Sequence, residues 1–300
     1  MSPRLPLLAA SLGRLHIVAI ATAACLTFGW MFTGRWPLLA AGVAALDWFL
    51  VNLLNRTVDV PEDRANAVLA AEVASRHRRA LVAAGLAVLV LSLVAIHLVA
   101  PELTGWRIAG HLLGLAYNWP LLPGRRRIKH LYGWKNLASA AGMGITVFAY
   151  PLVSLLSGGA PLLSDVPPAG IGAALGFFLA FELSYEVIYD LRDREGDAQR
   201  RIPTLPVVHG SRAAGRVVLG LLALAASLMV VAWATSLLPW RIAVMGLAPL
   251  LQAAWFLRVA PRGIRGVDCV VITWAGAGLF AVYHAWEALG LPCASGRPWP

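Results

Sequence analysis

The chain has 300 residues, of which 59% are hydrophobic and only 13% charged, and its mean hydropathy is +0.71. Soluble domains carry about 25% charged residues, so the composition excludes one and implies an all-α integral membrane protein. The net charge of +10 does not point to nucleic acid, because so hydrophobic a chain partners lipid.

A helix needs about 20 mostly apolar residues to span a bilayer. Nine segments qualify: 15–33, 37–55, 80–99, 104–120, 136–157, 168–189, 213–236, 239–257 and 268–290. The first exceeds a signal-peptide core and lacks a cleavage site, so it reads as a spanning helix. The fourth is short and holds Arg107 and His111. No stretch is left for a soluble domain, so residues 1–300 read as a single membrane-embedded domain. Cys25, Cys269 and Cys293 lie far apart, with no metal-ligand spacing and no disulfide framework.

The basic residues order these spans. Arg4 and Arg14 precede the first. Arg56, Arg64, Arg76, Arg78 and Arg79 follow the second, and Arg125, Arg126, Arg127, Lys129 and Lys135 the fourth. Arg192, Arg194, Arg200, Arg201, Arg212 and Arg216 follow the sixth, and Arg258, Arg262 and Arg265 the eighth. Only Arg35, Arg107, Arg241 and Arg297 fall elsewhere. Nine spans put every basic loop on the N-terminal side, which the positive-inside rule assigns to the cytoplasm. With no organellar transit segment in the sequence, the expected location is a prokaryotic cytoplasmic (inner) membrane.

Two acidic runs end apolar segments on that same side. In the first, Asn55, Asp59 and Asp63 recur every four residues and share one helix face. In the second, Tyr189 to Asp197, Asp190, Asp193 and Asp197 stand with Glu195 beside them. Carboxylates near lipid are costly unless paired, solvated or metal-bound. Two such oxygen-rich runs suit a pair of Mg²⁺ ions gripping a diphosphate. Metal ions stabilise charge on a departing diphosphate, and basic side chains add to this. The candidates are Arg192, Lys129, Lys135 and the Arg125–Arg127 cluster, with Asn136 next to Lys135. A lipid-embedded apolar cavity would keep the resulting allylic cation from water.

The runs resemble those of the UbiA superfamily of intramembrane prenyltransferases. Asn55, Asp59 and Asp63 match its first motif, and Asp190, Asp193, Gly196 and Asp197 its second, D-x-x-D-x-x-G-D. Thr204 to Gly210 resembles the segment that follows the second motif, and Tyr117, Asn118 and Pro120 before a basic loop resemble a third feature. The resemblance covers nearly the whole chain. It implies a helical bundle around a central cavity with a cytoplasmic cap, and two Mg²⁺ bridging the motifs through a prenyl diphosphate. It further implies prenyl transfer to a lipophilic acceptor, often an aromatic ring, with quinone biosynthesis the commonest setting. Two features depart from the pattern. Arg56 stands where many members have Asp, and Leu121, Leu122, Pro123 and Gly124 intervene before Arg125 in the third feature.

Polar residues inside the spans extend the candidate site. Asp47 lies two turns deeper than Asn55, and Glu182 and Glu186 repeat that pattern below Asp190. Intramembrane carboxylates are functional candidates, here for orienting a phenol or accepting a ring proton. Tyr185 and Tyr189 can face a cation, and Trp48 and Trp274 can line a prenyl tunnel. His97, His111 and His284 read as core or interface residues, and Asp268 and Glu287 as interfacial. Gly142, Gly144, Gly276 and Gly278 suit close helix approach.

The reading is thus a Mg²⁺-dependent prenyltransferase. Asn55, Asp59, Asp63, Asp190, Asp193 and Asp197 hold metal, and Asn55, Tyr117, Asn118, Lys129, Lys135, Asn136, Arg192, Glu186 and Asp47 meet the substrates. A terpene cyclase on the same scaffold would return the cation to its own chain. A cation transporter would use the acids as a relay, but they cluster at one membrane face and no internal repeat is evident.

Overall fold

The computed structural model describes residues 10–65 and 70–290; Arg4, Cys293 and Arg297 lie outside them. Among the described residues the fold is helical, with no strand element. In chain order come α1 (Leu15–Thr33), α2 (Leu38–Val58), α3 (Val60–Ala65), α4 (Ala71–Arg76), α5 (Arg78–Val99) and α6 (Thr104–Asn118). They are followed by α7 (Trp134–Gly144), α8 (Tyr150–Ser157), α9 (Pro168–Gln199), α10 (Leu205–Ala234), α11 (Trp240–Ala243), α12 (Leu247–Val259) and α13 (Gly266–Ala288). A π-helical turn, Ile145–Ala149, joins α7 to α8.

Eight of the nine expected spans are helices long and apolar enough to cross a membrane, counting Trp134–Ser157 and Trp240–Arg262 as continuous. The fourth differs. Helix α6 has 15 residues, about 22 Å of helix, against a hydrocarbon core of about 30 Å. Its wholly buried Arg107 lowers its hydropathy and marks the face turned into the bundle, while Trp106, Ile108 and Leu112 are exposed on the other.

Helices dominate because lipid offers the backbone no hydrogen-bond partner. The outer face of α5 exposes Val90, Leu91, Val94 and Leu98, and α10 exposes Leu224, Val230 and Val231. Apolar belts of this kind are stable against lipid, not water. Inside, Phe28 packs on Phe148 at 4.6 Å and on Phe32 and Phe178 at 5.9 Å between ring centres. This aromatic core fills the half of the bundle away from the acidic runs. Some helices meet through glycine: a Cβ on Gly170 of α9 would lie 2.2 Å from the Leu237 carbonyl oxygen, and one on Gly276 of α13 would lie 2.7 Å from Ile20. Cys25 and Cys269 are free and buried.

Candidate functional site

The first acidic run crosses a break in the chain. Helix α2 ends at Asp59 (φ −91°, ψ 20°), two residues before Pro61, which cannot donate a helix hydrogen bond. The Asp59 N–H donates to the Asn55 carbonyl at 3.0 Å, and the Asp63 N–H to the Asp59 carbonyl at 2.8 Å. The four-residue step survives the break, so all three side chains reach the same cavity. The second run is placed by length. Helix α9 has 32 residues, about 48 Å, so its last turns can stand clear of the hydrocarbon. Asp190, Asp193 and Asp197 line the cavity, while Glu195 is exposed and does not.

The cavity occupies about 830 Å³ between α1, α2, α3, α6, α7, α9 and α13. At its polar end each motif carboxylate meets a cation. Asp59 accepts from Lys129 Nζ in a very short contact and from Arg127 at 3.3 Å. Asp63 accepts from Arg56 at 2.6 Å. Lys135 donates to Asp190 at 2.7 Å and to Asp197 at 3.1 Å. Arg192 grips Asp193 through two bonds, at 2.7 and 2.5 Å, and lies 4.6 Å over the Tyr189 ring. With its amide oriented so that the nitrogen meets acceptors and the oxygen a donor, Asn55 donates to Asp59 at 2.6 Å and to Asn118 at 2.5 Å and accepts from Arg14 at 3.3 Å. These cations offset the mutual repulsion of five clustered carboxylates, which would otherwise be prohibitive in a poorly hydrated wall.

The donors fit Mg²⁺, which takes hard oxygen ligands from a few carboxylates and fills the rest with water and phosphate. Asp63 Oδ2 is buried, faces the cavity and accepts no hydrogen bond, which a cation would satisfy. Among the described residues no three acids yet converge at metal-binding distance; each is drawn to its Lys or Arg.

Below the ion pairs the walls turn apolar, with Ile17, Ile20, Trp48, Val51, Met143 and Trp274. Trp48 Nε1 donates to Thr146 at 2.9 Å, and Ser139 to Glu186 at 2.7 Å. Asp47 faces the cavity, but its lone pairs are taken. Arg107 donates to it at 3.0 and 2.5 Å and Tyr150 at 2.8 Å. His111 Nε2 lies 3.0 Å away, off the line of a hydrogen bond. Asp47 is therefore an anchor tying α2, α6 and α8 together, not an open proton acceptor.

Apart from the Arg125–Arg127 cluster, every residue expected to hold metal or substrate lines this cavity except Asn136, which donates to Asp190 Oδ2 at 2.9 Å. Arg125 and Arg126 are exposed and point elsewhere; of that cluster only Arg127 reaches an acid. Sequence reasoning missed Arg14, read only as a topology charge, and the partners of Asp47. Arg107 carried a usable signal, because an arginine inside a span requires a carboxylate.

Comparison with known proteins adds three findings. The UbiA prenyltransferase family model matches residues 15–264. A search of curated protein sequences gives no significant match. Solved structures match in fold: a UbiA homologue from Archaeoglobus fulgidus bound to GPP and Mg²⁺ aligns with TM-score 0.70 at 15% identity, over 92% of this chain and 97% of that one. An apo UbiA homologue from Aeropyrum pernix K1 aligns with TM-score 0.61 at 18% identity, over 92% and 98%. A digeranylgeranylglyceryl phosphate synthase aligns with TM-score 0.57 at 12% identity, over 93% and 94%.

Proposed function

The chain belongs to the UbiA prenyltransferase family, and on that premise we propose a multi-pass membrane enzyme that transfers a prenyl group from a prenyl diphosphate to an aromatic, quinone-precursor-like acceptor, in a Mg²⁺-dependent reaction. The observation that carries this is the joining of two acidic runs, remote in sequence, at one end of a cavity whose deeper walls carry Ile17, Ile20, Trp48, Val51, Met143 and Trp274. A prenyl diphosphate has the same polarity, charged at one end and oily along its length.

Asn55, Asp59 and Asp63 on one side, and Asp190, Asp193 and Asp197 on the other, would hold Mg²⁺, which when bound supplies charge stabilisation to the leaving diphosphate. Lys129 and Lys135 sit on flexible stems and can turn from carboxylate to diphosphate oxygen. Arg192 is fixed on Asp193 by two hydrogen bonds and stays as a positioned positive charge. Asn136 keeps Asp190 oriented. The apolar walls take the prenyl chain and exclude water from the allylic cation. Residues 1–300 act as one domain in this reading, with the motifs facing the cytoplasm, where diphosphates are made.

The test is binding of geranyl thiodiphosphate, a poorly ionising analogue, to purified protein. Saturable binding that requires Mg²⁺, is reversed by chelation and is lost in Asp59→Ala and Asp193→Ala is expected. Binding indifferent to Mg²⁺ and to both substitutions would sink the assignment.

A further inference from the structure

The loop between α6 and α7 carries a feature that the diphosphate chemistry does not use. Leu121, Leu122, Pro123 and Gly124, which interrupt the third sequence feature, are followed by Arg125 and Arg126. Leu122 and Arg126 exchange backbone hydrogen bonds at 3.1 and 3.3 Å, which closes a tight hairpin. Pro123 fixes φ for the turn, and Gly124 supplies the positive φ of 73°. Arg125 follows at φ 56°, a left-handed conformation that costs free energy for a residue with a Cβ. Leu121 is 58% exposed, and Pro123, Gly124, Arg125 and Arg126 are exposed with it. Neither arginine side chain has a hydrogen bond or ion pair among the described residues. A lone two-stranded hairpin is marginal in water, so this tip needs a surface to rest on.

The helices at its base fix its level. On α7, Trp134, Leu137 and Ala141 share one face, and all three are exposed. That row suits lipid, and Trp134 begins it, in the place aromatic residues take at a membrane interface. Exposed Tyr132 comes two residues earlier. A 3₁₀ turn, Ile128–His130, packs on both α6 and α7 and keeps the hairpin beside these helix ends. Three residues of strand reach about 10 Å, close to the roughly 5–8 Å of headgroup layer on each side of a bilayer.

We infer that the hairpin of residues 121–126 docks in the headgroup layer of the leaflet at this end, and that its ligand is an anionic phospholipid. Arg125 and Arg126 meet lipid phosphates, whose oxygens match the guanidinium fork. Leu121 enters the boundary with the acyl chains. Each arginine near an anionic surface gains about fivefold in affinity, so the pair gives about thirtyfold. An acidic protein surface would pair the arginines alone, whereas the headgroup layer also takes Leu121 and continues onto the row that starts at Trp134. Arg127, next in the chain, donates to Asp59 at 3.3 Å, so an anchored tip also steadies the loop that carries it.

The experiment is native mass spectrometry of purified full-length protein, titrated in detergent with phosphatidylglycerol or phosphatidylcholine. Arg125→Gln/Arg126→Gln is compared with Arg78→Gln/Arg79→Gln, which removes the same charge from the exposed start of α5. Depth is read separately in nanodiscs containing phosphatidylglycerol, from a fluorophore on Leu121→Cys in a Cys293→Ser chain, whose Cys25 and Cys269 are buried. Phosphatidylglycerol should bind at least about fivefold tighter than phosphatidylcholine, and the hairpin variant should lose at least about fivefold more of that affinity than the α5 variant. The fluorophore should be quenched by a lipid carrying a nitroxide near its glycerol. A smaller difference between the two variants means general rim charge and overturns the site. So does equal affinity for the two lipids, or a fluorophore quenched only from water, the result expected if the tip serves a soluble partner. Neither readout involves turnover, so failure here leaves the prenyl-transfer reading untouched.

Discussion

Arg56 holds Asp63 at 2.6 Å with both side chains 8% exposed, inside the first acidic run. A charge-assisted hydrogen bond at this depth contributes about 1.5–3 kcal/mol. Any cation arriving at Asp63 must displace the guanidinium or share the carboxylate with it. Arg56→Gln should therefore tighten Mg²⁺ binding in the absence of diphosphate by roughly tenfold, since about 1.4 kcal/mol is a factor of ten; isothermal calorimetry on purified protein reads this directly. Unchanged affinity would show that Asp63 is not a ligand or that Arg56 does not compete for it. The acids were legible as residues, because spacing alone puts Asn55, Asp59 and Asp63 on one face. Their cations were not. Lys129 and Arg127 lie in a loop, and their contact with Asp59, 70 and 68 residues away, depends on packing that no local pattern records.

Helices α6, α8 and α9 show how far elements could be read. Eight apolar runs announced themselves because lipid forces each into a helix. Helix α6 was marked by length but not by depth, since its buried face is made polar by Arg107. The π-helical turn at Ile145–Ala149 had only Pro151 as a sign. That residue has no N–H and its ring crowds the preceding turn, which widens, and Tyr150 beside it donates to Asp47. The Asp47 anchor, with wholly buried Arg107 also bonded to the Ser92 carbonyl at 2.9 Å, joins four helices that the sequence could only enumerate. Close approach elsewhere is set by glycine. At Gly170 the atom in the way is backbone, the Leu237 carbonyl oxygen at 2.2 Å from an added Cβ, which cannot rotate aside. Gly170→Ala should cost about 1–3 kcal/mol in overpacking, seen as a lower thermal unfolding midpoint in detergent. Thiodiphosphate binding should be unchanged, because the site is remote. A midpoint equal to the native one would mean that α9 and the Leu237 turn are not in contact as described.

At the scale of the molecule, charge and polarity are segregated. The basic loops gather at the end that carries both acidic motifs, and the aromatic core around Phe28 fills the other half. In the proposed reaction this arrangement would put the diphosphate within reach of the cytoplasm and its hydrocarbon tail in the bilayer. In a variant with Cys293 replaced by Ser, a cysteine at Arg200 should react with a membrane-impermeant maleimide in inside-out vesicles only, and one at Trp36 in right-side-out vesicles only. The reverse pattern would invert the topology.

The most direct test of intramembrane prenyl transfer is a product analysis by mass spectrometry. Purified protein in detergent is given prenyl diphosphates of several lengths, with and without aromatic acceptors, with Mg²⁺ or with chelator. A prenylated acceptor formed only with Mg²⁺, and absent from the Asp59→Ala protein, is the predicted result. A cyclic terpene or alcohol made equally well without acceptor, or diphosphate left intact under every condition, would contradict it.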